Sequence, residues 1–302
     1  MHIAPQFAPP NLRPRPPSEP LPPGACDTHF HVFGPTGRYP YAAERAYTPA
    51  DAFLEHYLQV SERVGLERGV LVQPSVYGVD NTLLLDALAA HGDRLRGVAV
   101  VPPGVTDDEL ARLHIAGVRG VRVNPLYRAA LTPADLPAFA PRLADLGWHV
   151  QVILDGAGLA EHAGLLAGLP VPVVVDHMGT LPASEVPGGP GFIALRRLLA
   201  DAGAWVKLSA PYLVSPHRPG HDDTRELMAA LHELAPDRTL WGSNWPHPGM
   251  GAPMPEEGDL LDLLARAVPG PEDRRAILVD NPARLYGFTR DAVRTAGGKD
   301  GR

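Results

Sequence analysis

A single cysteine, Cys26, stands in 302 residues. No intrachain disulfide and no multi-cysteine zinc or iron–sulfur centre can be built from it, an economy that suits a reducing compartment. Basic charge is also short: 27 Lys and Arg against 34 Asp and Glu leave a formal net charge of -7, with both signs mixed along the chain. Without a basic stripe to track phosphates, nucleic acid is not an expected partner. Nor does any run approach the roughly 20 apolar residues that cross a bilayer, and residues 1–24 hold no apolar core like that of a secretion signal. We therefore expect no membrane partner and a cytoplasmic location. No Gly-x-Gly-x-x-Gly follows the first apolar stretch, which argues against a dinucleotide-binding open sheet.

Proline is in surplus, and residues 1–24 carry Pro5, Pro9, Pro10, Pro14, Pro16, Pro17, Pro20, Pro22 and Pro23. Each fixes φ and removes an amide donor, so this segment reads as an extended arm, free to lie on its own domain or on a neighbouring subunit of a homo-oligomer. Residues 25–289 then alternate short apolar strands with helical periodicity. Strands are predicted at 25–33, 68–73, 95–101, 118–124, 148–154, 171–177, 204–209 and 239–244. Helices fall between them, with Asn81 and a Thr106–Glu109 capping box as start signals and Gly65 and Gly92 as stops. Eight such units in a length near the ~250 residues of a (β/α)8 TIM-like barrel predict that fold as one domain. Residues 290–302 read as a flexible tail.

The chain is organised around Cys26-Asp27-Thr28-His29-Phe30-His31. Strict strand alternation puts Asp27, His29 and His31 on one face and Cys26, Thr28 and Phe30 on the other. Cys26 is then a small buried apolar residue. Two imidazoles stand side by side, able to hold a metal, polarise a carbonyl or move protons near neutral pH. The ends of barrel strands converge on one mouth. His29 and His31, Arg122 and Asn124 of the fourth strand, Arg128 beyond it, His177 after the sixth, Lys207 and Ser209 of the seventh and Asn244 after the eighth thus predict one shared site. Trp245 and His247, just past Asn244, are expected at its mouth, whereas Trp148, Trp205 and Trp241 read as core. The long segment 34–49, with Tyr39, Tyr41 and Tyr47, reads as a site loop.

The stretch from Asp27 to Pro35, with Val72-Gln73-Pro74-Ser75, Arg119 to Asn124, Asp176-His177-Met178-Gly179, Trp241 to His247 and Asn281 to Phe288, resembles the lactonase branch of the amidohydrolase superfamily, which includes pyrone dicarboxylate lactonases. The resemblance implies a catabolic hydrolase that opens a small lactone of an oxygenated organic acid. It implies that His29, His31 and His177 polarise the lactone carbonyl and that Tyr47, Ser75, Arg122 and Arg128 orient substrate carboxylate or hydroxyl groups. Asn124 and His247 join the substrate-binding set by position.

Two departures shape the expectation. Hydrolytic members carry Asp where this chain has Asn244, and an amide has no useful basicity, so His177 and Asp27 become the candidate general bases. Arginines expected after the sixth and seventh strands are replaced by Gly179-Thr180-Leu181-Pro182 and Pro211-Tyr212-Leu213-Val214, so the substrate should bear fewer carboxylates or present hydroxyls. Asn244 also removes an anionic metal ligand; a metal-free site is preferred, with one divalent metal such as zinc on His29, His31 and His177 as the alternative. The resemblance extends to sugar-acid lactone isomerases, in which a substrate hydroxyl replaces water. A barrel that binds small acids without turnover is the non-enzymatic alternative.

Overall fold

The computed structural model describes residues 8–124, 130–185, 188–217, 220–251 and 254–289. Arg128 and the tail from residue 290 lie outside the described residues. Short β-branched and leucine-rich runs give β1 (Cys26–Phe30), β2 (Arg68–Val72), β3 (Leu95–Ala99), β4 (Val118–Val123), β5 (His149–Val152), β6 (Val173–Val175), β7 (Trp205–Ser209) and β8 (Thr239–Gly242). Between them run α1 (Leu54–Val64), α2 (Thr82–His91), α3 (Asp107–Ile115), α4 (Leu136–Asp145), α5 (Gly156–Ala167), α6 (Pro190–Asp201) and α7 (Arg225–Leu234), and α8 (Glu257–Ala267), α9 (Pro271–Arg275) and α10 (Asn281–Tyr286) follow. The strands pair in parallel in chain order from β1 to β8. The ring closes through the first residues past β8: Asn244 N donates to His29 O at 2.8 Å and His31 N to Trp245 O at 2.8 Å. This is the (β/α)8 barrel expected from the alternating pattern.

Local chemistry explains the boundaries. Gly65 ends α1 in the left-handed region at φ 87°, which suits a residue without Cβ. Thr106 caps α3 by accepting from Glu109 N at 3.2 Å, while Glu109 itself turns to Arg112 rather than completing the box. Asn81 corrects expectation: its side chain bonds Val79 O and Val100 O, and the α2 start is held by Asp80, whose Oδ1 accepts from Thr82 N at 3.0 Å.

Strict alternation fails in β1. Pairing with β2 shifts register between Asp27 and Phe30, and this irregularity re-aims the side chains. Cys26 points into the barrel with Val70, Val72, Val98, Val174 and Leu240, the same side as the histidines rather than the opposite one. Asp27 leaves that face. It accepts from Ser243 N and Oγ at 2.9 and 2.6 Å, from His29 N at 3.0 Å and from the Tyr57 hydroxyl at 3.3 Å, so it ties β1 to β8 and α1. Burial pushes its carboxyl up to about 6, against the pull of these donors.

The end of the barrel where the strands begin is sealed by the chain's closing segment. Tyr286 and Phe288 pack with Cys26, Val70 and Trp205, and the Arg68 and Arg96 guanidinium groups lie 5.4 and 4.8 Å from the Phe288 ring centre. The described part of the proline arm lies along α8. Asn11 and the Arg15 backbone bond Glu256, Ser18 N and Oγ both donate to Asp262 at 2.7 Å, and the Arg15 guanidinium bonds Asp259 and Asp262. Gly258 lets the arm approach, because a Cβ there would collide with Arg15 O and Pro16 O. Trp148, Trp205 and Trp241 are core as expected, but so is Trp245, fully buried against Tyr57 rather than at the mouth. No helix among the described residues is long and apolar enough to cross a membrane.

Candidate active site

Non-glycine residues in the left-handed region gather just past β6 and β8: His177 at φ 50°, Met178 at 55°, Asn244 at 58° and His247 at 61°. Such backbone costs on the order of 1–3 kcal/mol per residue and persists where the surroundings fix it. It turns His177 and Asn244 toward the mouth at the strands' carboxyl ends.

Under that mouth lies a buried charge cluster. Lys207 Nζ donates to Thr28 O at 2.8 Å and Gln151 Oε1 at 2.7 Å and lies 3.7 Å from Asp176 Oδ1. Asp176 Oδ2 accepts from Gln151 Nε2 at 3.0 Å and Arg122 Nε at 3.2 Å, while Oδ1 lies 3.3 Å from His29 Nδ1. Burial works to raise Asp176, but the His29 N–H facing it and the Lys207 and Arg122 cations outweigh it and hold the carboxyl well below its usual range. Burial also brings Lys207 down to about 8, with Asp176 opposing.

Three imidazoles stand on this cluster. Burial keeps His29 neutral, well below its ordinary range, with the field of Asp176 opposing. With an ionised carboxylate facing Nδ1, the ring carries its proton there; the Lys207 ammonium 3.4 Å from the same nitrogen is then a donor beside a donor and no hydrogen bond. His29 Nε2 remains a buried lone pair without a partner. His31 Nδ1 donates to Val72 O at 2.7 Å, and since a carbonyl only accepts, His31 Nε2 is also a lone pair. Burial and the Arg122 charge lower His31 to about 3. His177 Nδ1 sits 2.8 Å from Ser209 Oγ, a hydroxyl that can give or take the proton, and burial brings this ring to about 4. Ring centres lie 5.0 Å apart for His29 and His31 and 4.6 Å for His29 and His177.

Above the rings is a cavity of about 180 Å³. It is lined by His31, His177 and Asn244, by Tyr47, Ser75, Arg122 and Asn124, and by Leu213. The structure thus brings together seven of the residues singled out in the sequence, with His29 directly behind them. Arg122 spends Nε on Asp176, leaving its terminal nitrogens for the cavity. Asp27 does not reach it. His247 does not line it either: it is buried, with Nδ1 3.0 Å from the Tyr212 hydroxyl and Nε2 2.9 Å from Glu257 Oε1.

That last chain has a direction. The Glu257 carboxylate accepts a hydrogen bond from His247 Nε2–H, so Nδ1 accepts from the Tyr212 hydroxyl, whose oxygen accepts Asn244 Nδ2–H at 2.9 Å. The Asn244 amide is thereby oriented with Oδ1 toward the cavity. Tyr212, Glu257, Gln151 and Asp176 were not assigned roles from sequence; Asp176 alone had a signal, adjacent to His177 at a strand end.

His29, Asp176 and His177 offer ligand atoms within 4.8 Å of one another. The Lys207 ammonium beside His29 Nδ1 and Asp176 Oδ1 marks that side as an ion-paired cluster. The bare lone pairs lie elsewhere, at Nε2 of His29 and His31.

The family model described as Amidohydrolase matches residues 26–288. The chain is 41% identical over 283 residues to a 4-sulfomuconolactone hydrolase of Rhizobium radiobacter, covering 92% of this chain and 95% of that one. It is 39% identical to a 2-pyrone-4,6-dicarboxylate hydrolase of Comamonas testosteroni, covering 89% and 93%. A D-galactarolactone isomerase of Agrobacterium fabrum is 28% identical, covering 89% and 93%. With a family model spanning the whole barrel and relatives matched nearly end to end, the chain belongs to the amidohydrolase family.

Proposed function

We propose that the protein hydrolyses a small lactone of an oxygenated organic acid. The observation that carries this reading is the cavity itself: neutral imidazoles together with an arginine and hydroxyl and amide groups, in a chain whose relatives at 38–41% identity are named lactone hydrolases. Arg122, with Ser75, Tyr47 and Asn124, binds the substrate's carboxylate and so sets the ring carbonyl over the imidazoles. Asn244 Oδ1 accepts a hydrogen bond from the attacking water and orients it. His177 donates from Nε2 to the carbonyl oxygen as charge builds there, when Ser209 supplies a proton to Nδ1. Addition of water breaks the ester C–O bond and leaves a carboxylic acid, which releases one proton.

Imidazole nitrogens are good ligands for a divalent cation, although the ligand atoms that lie within 4.8 Å of one another are those of His29, Asp176 and His177, without His31. Three neutral imidazoles suffice as protein ligands, and His29 Nε2 is a buried acceptor with nothing to accept from. The metal-free site stays our preferred reading and one zinc on His29, His31 and His177 its alternative; bound there it would supply carbonyl polarisation and acidified water, with His177 Nε2 holding the ion in place of its hydrogen bond to the carbonyl. No carboxylate lines the cavity among the described residues, so the chain itself offers no strong base there.

The test is proton release against a lactone panel with metal-analysed protein. We expect ring opening, and Arg122→Met should lower kcat/KM by about 10²-fold through loss of a charge-assisted contact. No release from any lactone, with or without added zinc, would contradict the reading. Asn244 favours a second reading, lactone isomerisation, since an amide does not deprotonate water; a change of ring size without open acid distinguishes it.

A further inference from the structure

Next to the catalytic cavity, and joined to it by Ser75, Arg122 and Asn124, lies a recess of about 320 Å³ between the loops after β2, β3 and β4. Its walls are largely apolar, with Ala42, Val79, Val100 and Ala130. Gln73, 1% exposed, is among its lining residues. Gln73 Nε2 donates to Asp80 O at 2.6 Å, and because a carbonyl cannot donate, this bond fixes the amide orientation. Gln73 Oε1 is left buried without a hydrogen-bond partner. An orphaned acceptor of this kind costs on the order of 1–3 kcal/mol unless an ordered water or a ligand satisfies it.

We propose that this recess is a second subsite, which receives a hydroxyl-bearing substituent of the lactone and accepts its hydrogen bond at Gln73 Oε1. The proposal rests on the lactone reading and narrows its substrate class. A carboxylate cannot serve in the recess: it would set acceptor against acceptor, and the Glu44 and Asp80 side chains nearby are also acidic. The substrate's single carboxylate then belongs to Arg122 and its ring to the imidazoles. A plain methyl fills the space but leaves Oε1 unpaired, and sites built to bond a hydroxyl discriminate against its absence for that reason.

Binding tests this without turnover. The full chain is titrated calorimetrically with three tetrahydrofuran-2-carboxylates, which cannot be hydrolysed, bearing hydroxymethyl, methyl or a second carboxylate at C5. We expect the hydroxymethyl compound to bind about tenfold more tightly than the methyl one, and the dicarboxylate to bind most weakly. Gln73→Met should bring the first two within about twofold of each other. Val79→Phe, at a 38% exposed position where a larger side chain is tolerated, should fill the recess and abolish the same preference. Equal binding of the first two by native protein, preference for the dicarboxylate, a preference surviving in both variants, or no binding of any of the three would overturn the subsite. Failure to open lactones would instead count against the lactonase reading, so the two failures are distinguishable.

Discussion

At the scale of single residues, burial decides the chemistry. His31 near 3, His177 near 4 and His149 near 3 are all depressed by burial, and burial holds His29 well below its ordinary range too. Unfolded, each would titrate near 6.5. Between about 6.5 and about 4 the unfolded chain therefore binds protons that the folded one refuses, so these rings make stability rise with pH across that window. Asp27, raised from 3.8 to about 6, acts in the opposite sense between those values, one group against four. Urea midpoints measured at pH 7 and pH 5 should fall on acidification, and an unchanged or rising midpoint would show that the rings are not held neutral. Lys207 makes a second residue-scale prediction. Lys207→Met leaves Asp176 buried with one fewer cation and should cost on the order of 3–5 kcal/mol in urea unfolding. A loss under ~1 kcal/mol would mean that Arg122 and Gln151 alone satisfy the carboxylate.

At the scale of elements, neighbouring backbones set what one strand cannot. Gly242 on β8 faces His29: a Cβ there would lie 2.6 Å from His29 Cβ. Gly242→Ala should push β8 from β1 and lower kcat at least about tenfold, since small misplacements of catalytic groups are costly, with a smaller change in KM. Unchanged kcat would show slack in this contact. On the outer wall, Gly258→Val should lift the arm from α8 and open residues 8–24 to limited proteolysis, while native protein stays intact. Equal cleavage of both would show that the bonds to Asp262 and Glu256 hold the arm unaided. Elements also show how far the sequence could be read. Strand order, the inward positions of Arg122, Lys207 and Ser209 and the terminal His177 follow from period-two patterning and apolar runs. The face of Asp27 and Cys26 does not, because the register shift arises from pairing with β2 rather than from β1 alone. His247 looked like a mouth residue by position, yet Tyr212 and Glu257, 35 and 10 residues away, draw it inward.

At the scale of the molecule, the barrel gathers these distant residues into one chamber and leaves the sealing of the far end to Tyr286 and Phe288. Chamber chemistry, not groove size, identifies the site: a groove of about 870 Å³ beside α7 is larger but holds no histidine triad, only His217 among acidic and basic side chains. In the proposed reaction water opens a lactone in this chamber with Asn244 only orienting it. The most direct test is carbon NMR of a lactone panel in ¹⁸O-water with native protein and Asn244→Asp. We expect ¹⁸O in an open-chain carboxylate from the native enzyme, at a rate the Asp variant raises by about 10²-fold or more through general-base catalysis. Ring-size change without ¹⁸O in the native protein, with open acid appearing only in the variant, would contradict it and make the protein an isomerase.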